Sequence, residues 1–277
     1  MDLISSLCDE VREMLKTTDN QGDIFSRGRM LVSGLALKPV FLKEIFQKFA
    51  VDDDFLMNRA LTPDPNEVTL YIDPDRLFSL RLYIWDPAVS YPAHDHGSWG
   101  IVSCVAGEIL ERKYERVDDG SKPGYAKIRE VKSAILKPGE TTVVLPLNQG
   151  IHKMESIYKD TPSISLHLYG KPLIRRGYLE CYNIHKDTVY RLMSPYRYGR
   201  AYVLKALGSI REDWPVEILE QALMDKPYMQ YEALRALALA DKAAALNYME
   251  TKKIGEVPLK ERFADLYEAI KIGLPGY

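Results

Sequence analysis

The sequence is poor in cysteine and has almost no excess of charge. Its three cysteines, Cys8, Cys104 and Cys181, lie far apart and in no metal-binding spacing. They favour a reducing compartment over a disulfide framework. The formal net charge of −2 gives no electrostatic reason to expect a nucleic acid or an anionic membrane as partner. No apolar run approaches membrane-spanning length and the first residues form no signal-peptide pattern, so we expect a cytoplasmic protein.

The first part of the chain has the apolar spacing of amphipathic helices. Leu3, Leu7 and Val11 recur at helical intervals, a second such pattern runs over about 24–37, and a third follows Pro39. Proline suits a first helical turn. The three aspartates at positions 52–54 are interpreted as a cap and a solvated turn and not as a metal cluster, because consecutive residues of a helix point in different directions.

From about Val68 the pattern changes to short segments rich in β-branched and aromatic residues. Turn signals such as Asp119-Gly120 and Lys137-Pro138-Gly139 separate them. Many short strands with little helix between them indicate an antiparallel barrel or jelly roll, which encloses a pocket lined by alternate strand residues. The predicted strands are Val68–Ile72, Leu77–Trp85, Gly100–Val105, Ile109–Tyr114, Lys127–Leu136, Thr141–Leu145, His152–Ile157 and Ser163–Tyr169.

After about Thr188 the pattern becomes helical again, with residues 196–200 read as a connection. Leu204-Lys205-Ala206-Leu207 recurs as Leu234-Arg235-Ala236-Leu237, which favours HEAT-like units that pack on the barrel or serve a partner or self-association. An irregular helical cap is the alternative. We predict two domains, 1–187 with the barrel at about 66–187, and 188–277. The predicted helices of the second are Arg200–Ile210, Val216–Met224, Met229–Leu239, Lys242–Glu250 and Leu259–Ile272.

The histidines are the residues that point to chemistry. His94 and His96 are one residue apart, so in an extended segment both imidazoles share a face. Neutral imidazole binds iron, zinc, copper and nickel, so the pair is half of a metal site. A surface pair in a turn is the alternative. His152 begins a later strand and would complete the set in a jelly roll, where strands distant in sequence are neighbours; alone it would be an ordinary histidine.

A second polar pattern lies in Ser165-Leu166-His167-Leu168-Tyr169. Strand alternation places Ser165, His167 and Tyr169 on one face and the leucines on the other. A hydroxyl, an imidazole and a phenol in a row can act as a proton relay, in which Ser165 orients His167 and His167 bonds the hydroxyl of Tyr169. The outer polar face of an amphipathic strand is the alternative interpretation.

The ordered motifs FSLRLYIWDP, HDHGSWG, GIHKM and SLHLYG resemble the cysteine dioxygenase-type thiol dioxygenases of the cupin superfamily, over about residues 68–170. The resemblance implies a mainly β fold, a double-stranded β-helix barrel, here with N-terminal helices and an added C-terminal α-helical domain. It implies non-haem Fe(II) bound by His94, His96 and His152, with Zn or Ni as other metals that the purified protein could hold. The glutamate of the general cupin motif is absent around Gly100-Ile101, as expected for the three-histidine branch.

The implied activity is the oxidation of a small thiol carboxylate to its sulfinate by O2, so the expected partners are the thiol and O2. By resemblance, the catalytic Ser-His-Tyr triad falls on Ser165, His167 and Tyr169, with the tyrosine hydroxyl near the iron. The resemblance also places Tyr83 and Trp85 towards the iron pocket, as substrate-binding residues.

Two positions depart from the family pattern. Some members carry a cysteine after the second histidine that crosslinks to the triad tyrosine; Gly100 and Ile101 occupy that neighbourhood, so we expect no crosslink. Val68 occupies the position at which the family has the arginine that binds the substrate carboxylate.

Arg81 is the residue that we expect to replace the missing arginine. It shares a strand face with Tyr83 and Trp85, and its fork-shaped guanidinium matches a carboxylate. The alternative is an arginine at the rim of the barrel that reaches solvent or pairs with a glutamate. In that case the partner would be a glutamate such as Glu108 or Glu111. Arg175 and Arg176 are the other candidates for the group that binds the substrate anion.

Three functions are compatible with these residues. The leading one is an iron-dependent thiol dioxygenase. The second is a metal-binding cupin sensor or adaptor without turnover, whose barrel binds a small ligand while the helical tail engages a partner. The third is another metal-dependent cupin enzyme, such as an isomerase. The retained serine, histidine and tyrosine favour the first, because a protein that only binds has less need of a proton relay.

Overall fold

The computed structural model describes residues 3–51, 66–173, 178–193, 195–210, 212–224, 227–252 and 260–273. It divides into two compact units, one of Met1–Glu115 and Arg129–Leu173, the other of Arg116–Ile128 and Ile174–Tyr277. The predicted domain boundary at residue 188 stays a prediction. Across the described part of the chain, every helix is too short or too polar to cross a membrane. The aspartates at 52–54 and the arginines at 175 and 176 lie outside the described residues.

Three helices open the first unit, as the apolar spacing predicts. They are α1 (Leu3–Thr17), α2 (Gln21–Ala36) and α3 (Pro39–Val51). Asn20 caps α2, because its side-chain oxygen accepts a hydrogen bond from the backbone N–H of Asp23.

Two antiparallel sheets form the rest of this unit. The strands are β1 (Glu67–Ile72), β2 (Phe78–Trp85), β3 (Ala93–His94), β4 (Gly100–Ala106), β5 (Ile109–Arg116), β6 (Ile128–Leu136), β7 (Thr141–Val144), β8 (His152–Ser156) and β9 (Ser163–Gly170). The first sheet has the strand order β1-β2-β9-β4-β7, and the second contains β3, β8, β5 and β6 in that order. Apart from β1–β2 and β5–β6, neighbouring strands of these sheets are not consecutive in the chain, which is the strand crossing of a double-stranded β-helix, so the predicted fold is confirmed.

The two faces of the first sheet have different roles. Leu80, Leu82, Leu166 and Leu168 are fully buried in one apolar cluster with residues of the N-terminal helices. The alternate residues of the same strands, such as Tyr83, Trp85 and Tyr169, belong to a second cluster inside the barrel. Strand alternation therefore gives the helices an apolar surface and leaves the opposite face for the pocket.

The second unit combines a hairpin with helices. The strands β10 (Tyr178–Asn183) and β11 (Thr188–Met193) pair antiparallel. Residues 196–200, predicted to be a connection, are helical, because Pro195 starts the helix and the glycine at 199 only weakens it. The helices are α4 (Pro195–Ser209), α5 (Trp214–Ala222), α6 (Pro227–Ala240), α7 (Lys242–Thr251) and α8 (Lys260–Lys271). The repeated segments lie in α4 and α6, and the HEAT-like relation stays a prediction.

Candidate metal centre

Three buried histidines meet inside the barrel. His94 and His152 are direct partners across the β3–β8 pair, and His96 lies two residues after the end of β3. One ring nitrogen from each of the three lies within 4.8 Å of the others, and the Nε2 atoms of His96 and His152 are 3.0 Å apart. The sequence prediction that these histidines come together is therefore confirmed, and the set could hold one metal ion.

The partners of two of these histidines settle which ring nitrogen faces the centre. The Nδ1 of His152 is 3.0 Å from Oε1 of Glu111, and the Nδ1 of His94 is 3.1 Å from the backbone oxygen of Pro92. A backbone carbonyl and an ionised carboxylate only accept, so each Nδ1 carries the hydrogen and donates it. Each Nε2 then keeps its lone pair, which is the state that binds a metal.

Glu111 is a residue of this site that the sequence analysis did not assign to it. It lies on β5, and only 3% of its side chain is exposed. Burial by itself would raise the pKa of Glu111, but the hydrogen bond from His152, the charge of Lys113 and the hydrogen bond from Thr142 together outweigh burial and lower it. The signal in the sequence was a glutamate in the middle of a predicted barrel strand. Charged residues occur on both faces of β5, so alternation alone could not single it out.

The serine, histidine and tyrosine of β9 form a continuous hydrogen-bonded chain. Ser165 Oγ is 2.7 Å from His167 Nε2, and His167 Nδ1 is 2.8 Å from the hydroxyl of Tyr169. Trp85 Nε1 donates to Ser165 Oγ at 2.8 Å, which fixes the far end of the chain. At the near end, the Tyr169 hydroxyl is 3.5 Å from Nε2 of His96. The polar face of β9 thus points into the barrel and ends at the histidine cluster.

His167 is a neutral imidazole in this setting. Burial first, and then the positive charge of Arg81, lower its pKa well below the ordinary 6.5. A neutral ring donates through one nitrogen and accepts through the other, so the Ser165–His167–Tyr169 chain has two proton arrangements. In one of them, the Nδ1–H of His167 donates to Tyr169, and the tyrosine keeps its own hydrogen to offer to a ligand.

β2 supplies the neighbouring wall of the pocket. Its register with β9 places Arg81 opposite His167 and Tyr83 opposite Ser165. The ring of Tyr83 lies 4.3 Å from that of His167 and stacks on Trp85 at 5.6 Å. The predicted substrate-binding residues of β2 therefore share the face that carries the triad.

Arg81 has a carboxylate partner within the protein. Its Nη1 donates to Oε2 of Glu67 at 2.8 Å, and the hydroxyl of Tyr83 donates to the same oxygen at 2.8 Å. Burial by itself would lower the pKa of Arg81, but the Glu67 carboxylate outweighs burial and raises it. The side chain of Arg81 is 30% exposed while that of Glu67 is fully buried. The pairing acid is thus Glu67, and whether Arg81 also binds a substrate stays a prediction.

The positions next to the triad tyrosine are occupied by small or unreactive groups. Gly100 is the β4 partner of Tyr169, and a Cβ at this position would lie 2.8 Å from the tyrosine ring. Cys104, further along β4, is buried, and burial raises the pKa of its thiol to about 12. Its thiol is therefore protonated and unreactive at neutral pH.

Two solved structures and one protein family have similarity to this chain. A cupin-like protein from Thermotoga maritima is 14% identical with a TM-score of 0.30, over 50% of this chain and 87% of that one. The DMSP lyase DddQ from Ruegeria pomeroyi DSS-3 is 16% identical with a TM-score of 0.31, over 51% of this chain and 72% of that one. The family model of cysteine dioxygenase type I matches residues 30–178, more than half of the sequence, and includes the three histidines and the triad. The chain therefore belongs to the cysteine dioxygenase type I family.

Proposed function

We propose that this protein is a non-haem iron(II)-dependent thiol dioxygenase that converts a small, cysteine-like thiol carboxylate to its sulfinate. The reaction consumes one thiol and one O2, and both oxygen atoms end on the sulfur, which is oxidised from thiol to sulfinic acid. The observation that carries the proposal is the meeting of two groups inside one barrel. The Ser165–His167–Tyr169 chain ends 3.5 Å from the histidine cluster, which a protein that only binds metal would not need.

The histidine cluster fits Fe(II) as the resident metal. Three imidazole nitrogens on one side leave the remaining coordination positions for exchangeable ligands. When bound, Fe(II) supplies the site where the thiolate and O2 are brought together and the redox chemistry that joins them. The histidines carry no charge of their own, so an anionic thiolate is electrostatically favoured beside the metal.

Tyr169 holds a hydroxyl hydrogen at the edge of the metal site. His167 is neutral, and it fixes the direction of that hydroxyl through its Nδ1 at 2.8 Å. The tyrosine can then donate a hydrogen bond to a ligand beside the metal, while Ser165 and Trp85 keep His167 in place. General acid–base groups of this kind contribute about 10²–10⁴-fold to rates.

Arg81 is the group that we assign to the substrate carboxylate. Its Nε donates to Ser79 Oγ at 3.2 Å and its Nη1 to Glu67, and the guanidinium has further N–H donors beyond these two. It lies 5.5 Å from the centroid of the Tyr169 ring, within reach of the same ligand. Tyr83 and Trp85 would contact the carbon chain of the thiol.

The test is O2 consumption by the iron-loaded protein with a panel of small thiols, with the sulfinate identified by mass spectrometry. We expect O2 uptake and sulfinate in equal amounts. Tyr169→Phe should keep its metal content and lose about 10²–10⁴-fold in turnover. Full turnover in that variant would remove the triad from the mechanism.

The sensor or adaptor is the second candidate, favoured by the pairing of Arg81 with Glu67, which already balances the charge of the pocket. If the protein is a sensor or adaptor, the same panel of thiols should give no O2 uptake. Calorimetry should then show saturable binding of a thiol.

A further inference from the structure

Glu111 and His152 form a buried pair whose role is not explained by the fold alone. The two side chains are 3% and 2% exposed, and the hydrogen bond between them is 3.0 Å long. The register of β5 and β8 pairs Lys113 with His152 and Glu111 with Met154. The Glu111 carboxylate therefore contacts His152 diagonally across the strand pair, at the Nδ1 side of the ring. It lies on the side of the ring opposite to Nε2, which faces the other two histidines.

A buried carboxylate is costly unless it is well satisfied. Glu111 accepts from His152 Nδ1 and from the hydroxyl of Thr142, and its Oε2 is 3.7 Å from the ammonium of Lys113. That ammonium also donates to the backbone oxygen of Val143 at 2.7 Å. The carboxylate is thus held in one position by groups on three strands, with one edge directed at the histidine.

The comparison with His94 shows what this carboxylate adds. His94 donates its Nδ1–H to the neutral backbone oxygen of Pro92 at 3.1 Å, whereas His152 donates to a full negative charge. Both partners fix the tautomer and increase the electron density on the ring, and the charged carboxylate does so more strongly than the neutral carbonyl. His152 is therefore a stronger donor than His94, and the negative charge behind it offsets part of the charge of a divalent ion.

We propose that Glu111 is a positioning residue of the metal site, which holds the Nε2 of His152 in its metal-binding state and sets the affinity for the divalent ion. The inference rests on the metal-binding part of the proposed function and not on thiol oxidation. Removing such a partner of a metal-bound histidine typically weakens metal binding by about 10–100-fold.

The experiment compares metal affinity in the wild type, Glu111→Gln and Glu111→Asp. Metal-free protein is titrated with Zn(II), and separately with Co(II), against a competing chelator, and circular dichroism and urea unfolding of the metal-free forms report folding. Gln keeps the size of the side chain but loses its charge, and Asp keeps the charge with a shorter reach. We expect the affinity to fall in the order wild type, Asp, Gln, with about 10–100-fold between the first and last.

Glu155→Gln is the matched control. Glu155 lies on the same strand as His152 and pairs with Lys153 and Arg112, away from the metal ligands. We expect its metal affinity to equal that of the wild type. Equal affinity in the Gln and Asp variants and the wild type would overturn the inference. If Glu111→Gln does not fold, the metal affinity of Glu111→Asp tests the inference. A lower affinity than that of the wild type supports it, and an equal affinity overturns it.

The two proposals fail in different ways. Weakened metal binding in the Gln variant together with a wild type that oxidises no thiol would refute the dioxygenase and leave the role of Glu111 intact. Sulfinate production by the wild type, together with an unchanged metal affinity in Glu111→Gln and Glu111→Asp, would support the dioxygenase and refute the role of Glu111.

Discussion

At the scale of single residues, hydrogen-bond partners that can only accept or only donate determine the chemistry of the pocket. Pro92 and Glu111 accept, so His94 and His152 must offer their other nitrogens to the centre. Trp85 only donates, so it anchors Ser165 at the far end of the triad chain. The sequence could predict the pair His94 and His96 and the triad from strand alternation, and His152 from the neighbouring of distant strands in a jelly roll. It could not predict Glu111, because its partner lies on a strand distant in the chain.

Arg81 should discriminate between thiols with and without a carboxylate. Arg81→Ala is expected to raise the KM for 3-mercaptopropionate about 10–100-fold, as for the loss of a hydrogen bond to a charged group, and to change the KM for ethanethiol little. Steady-state O2 uptake with both thiols measures this. The substitution leaves Glu67 without its cation, but a folding defect would affect both thiols alike. Arg112→Ala, in a pair with Glu155, is the control. Equal changes for the two thiols would contradict the assignment.

His167 should make the metal-free protein less stable in acid. The pKa of His167 is lowered in the folded state, so between the ordinary 6.5 and that lower value the unfolded chain binds a proton that the folded chain does not. The contribution of neutral His167 to the free energy of unfolding is complete above about pH 6.5. As the pH falls below about 6.5, this contribution is lost by up to about 1.4 kcal/mol per pH unit. Urea unfolding of the metal-free protein from about pH 8 to about pH 5 should show this decline.

Two variants isolate the contribution of this imidazole. His167→Asn should have a shallower decline below about pH 6.5 than the wild type, because it lacks the titrating ring. His185→Asn changes an exposed histidine in a turn and should follow the wild-type curve. The same slope in all three proteins would mean that the acid sensitivity comes from other groups.

At the scale of secondary-structure elements, the register of β9 with its two neighbours builds the pocket. Tyr169 faces Ser79 on β2 and Gly100 on β4, two small residues that leave room for its ring. The sequence predicted the eight longer strands of the first unit to within a residue or two at most ends, because their alternation is regular. It missed β3, the two-residue strand that carries His94, since two residues give no periodicity. It also missed β10 and took the chain after about Thr188 to be helical, whereas β11 continues to Met193.

Gly100 should be required for the position of Tyr169. In Gly100→Ala the new methyl group would lie 2.8 Å from the tyrosine ring, so the ring must move from its place beside His96. We expect a loss of about 1–3 kcal/mol in the free energy of unfolding, typical of overpacking, together with reduced turnover. Gly34→Ala is the control, because nothing lies within 4 Å of a Cβ there and the residue is in the last turn of α2. That variant should keep its activity and gain stability, by up to about 1 kcal/mol. Wild-type turnover in Gly100→Ala would show that the ring position is not critical.

At the scale of the whole molecule, the chain has two units with separate apolar cores. The family match covers residues 30–178, and the three candidate metal ligands and the triad all lie in the first unit. The core of the second unit is built around helices α4 to α8 and the hairpin, with Leu219, Leu234 and Leu266 fully buried. The sequence could predict the helices from their spacing. It could not predict that residues 116–128 group with the second unit, because that assignment depends on contacts between segments far apart in the chain.

A metal ion should therefore stabilise the first unit more than the second. A ligand that binds only the folded state adds about 2.7 kcal/mol at a free concentration of about 100 times its Kd. The three tryptophans allow the units to be followed separately, since Trp85 and Trp99 lie in the first and Trp214 in the second. In Trp214→Phe the remaining tryptophans both lie in the first unit, so the fluorescence of this variant follows the unfolding of that unit. The wild-type fluorescence minus that of the variant follows the second unit. We expect Zn(II) to raise the urea midpoint of the first signal more than that of the second, and to raise neither in His94→Ala. Equal shifts of both signals would contradict this prediction, because they would mean that the two units unfold as one cooperative structure.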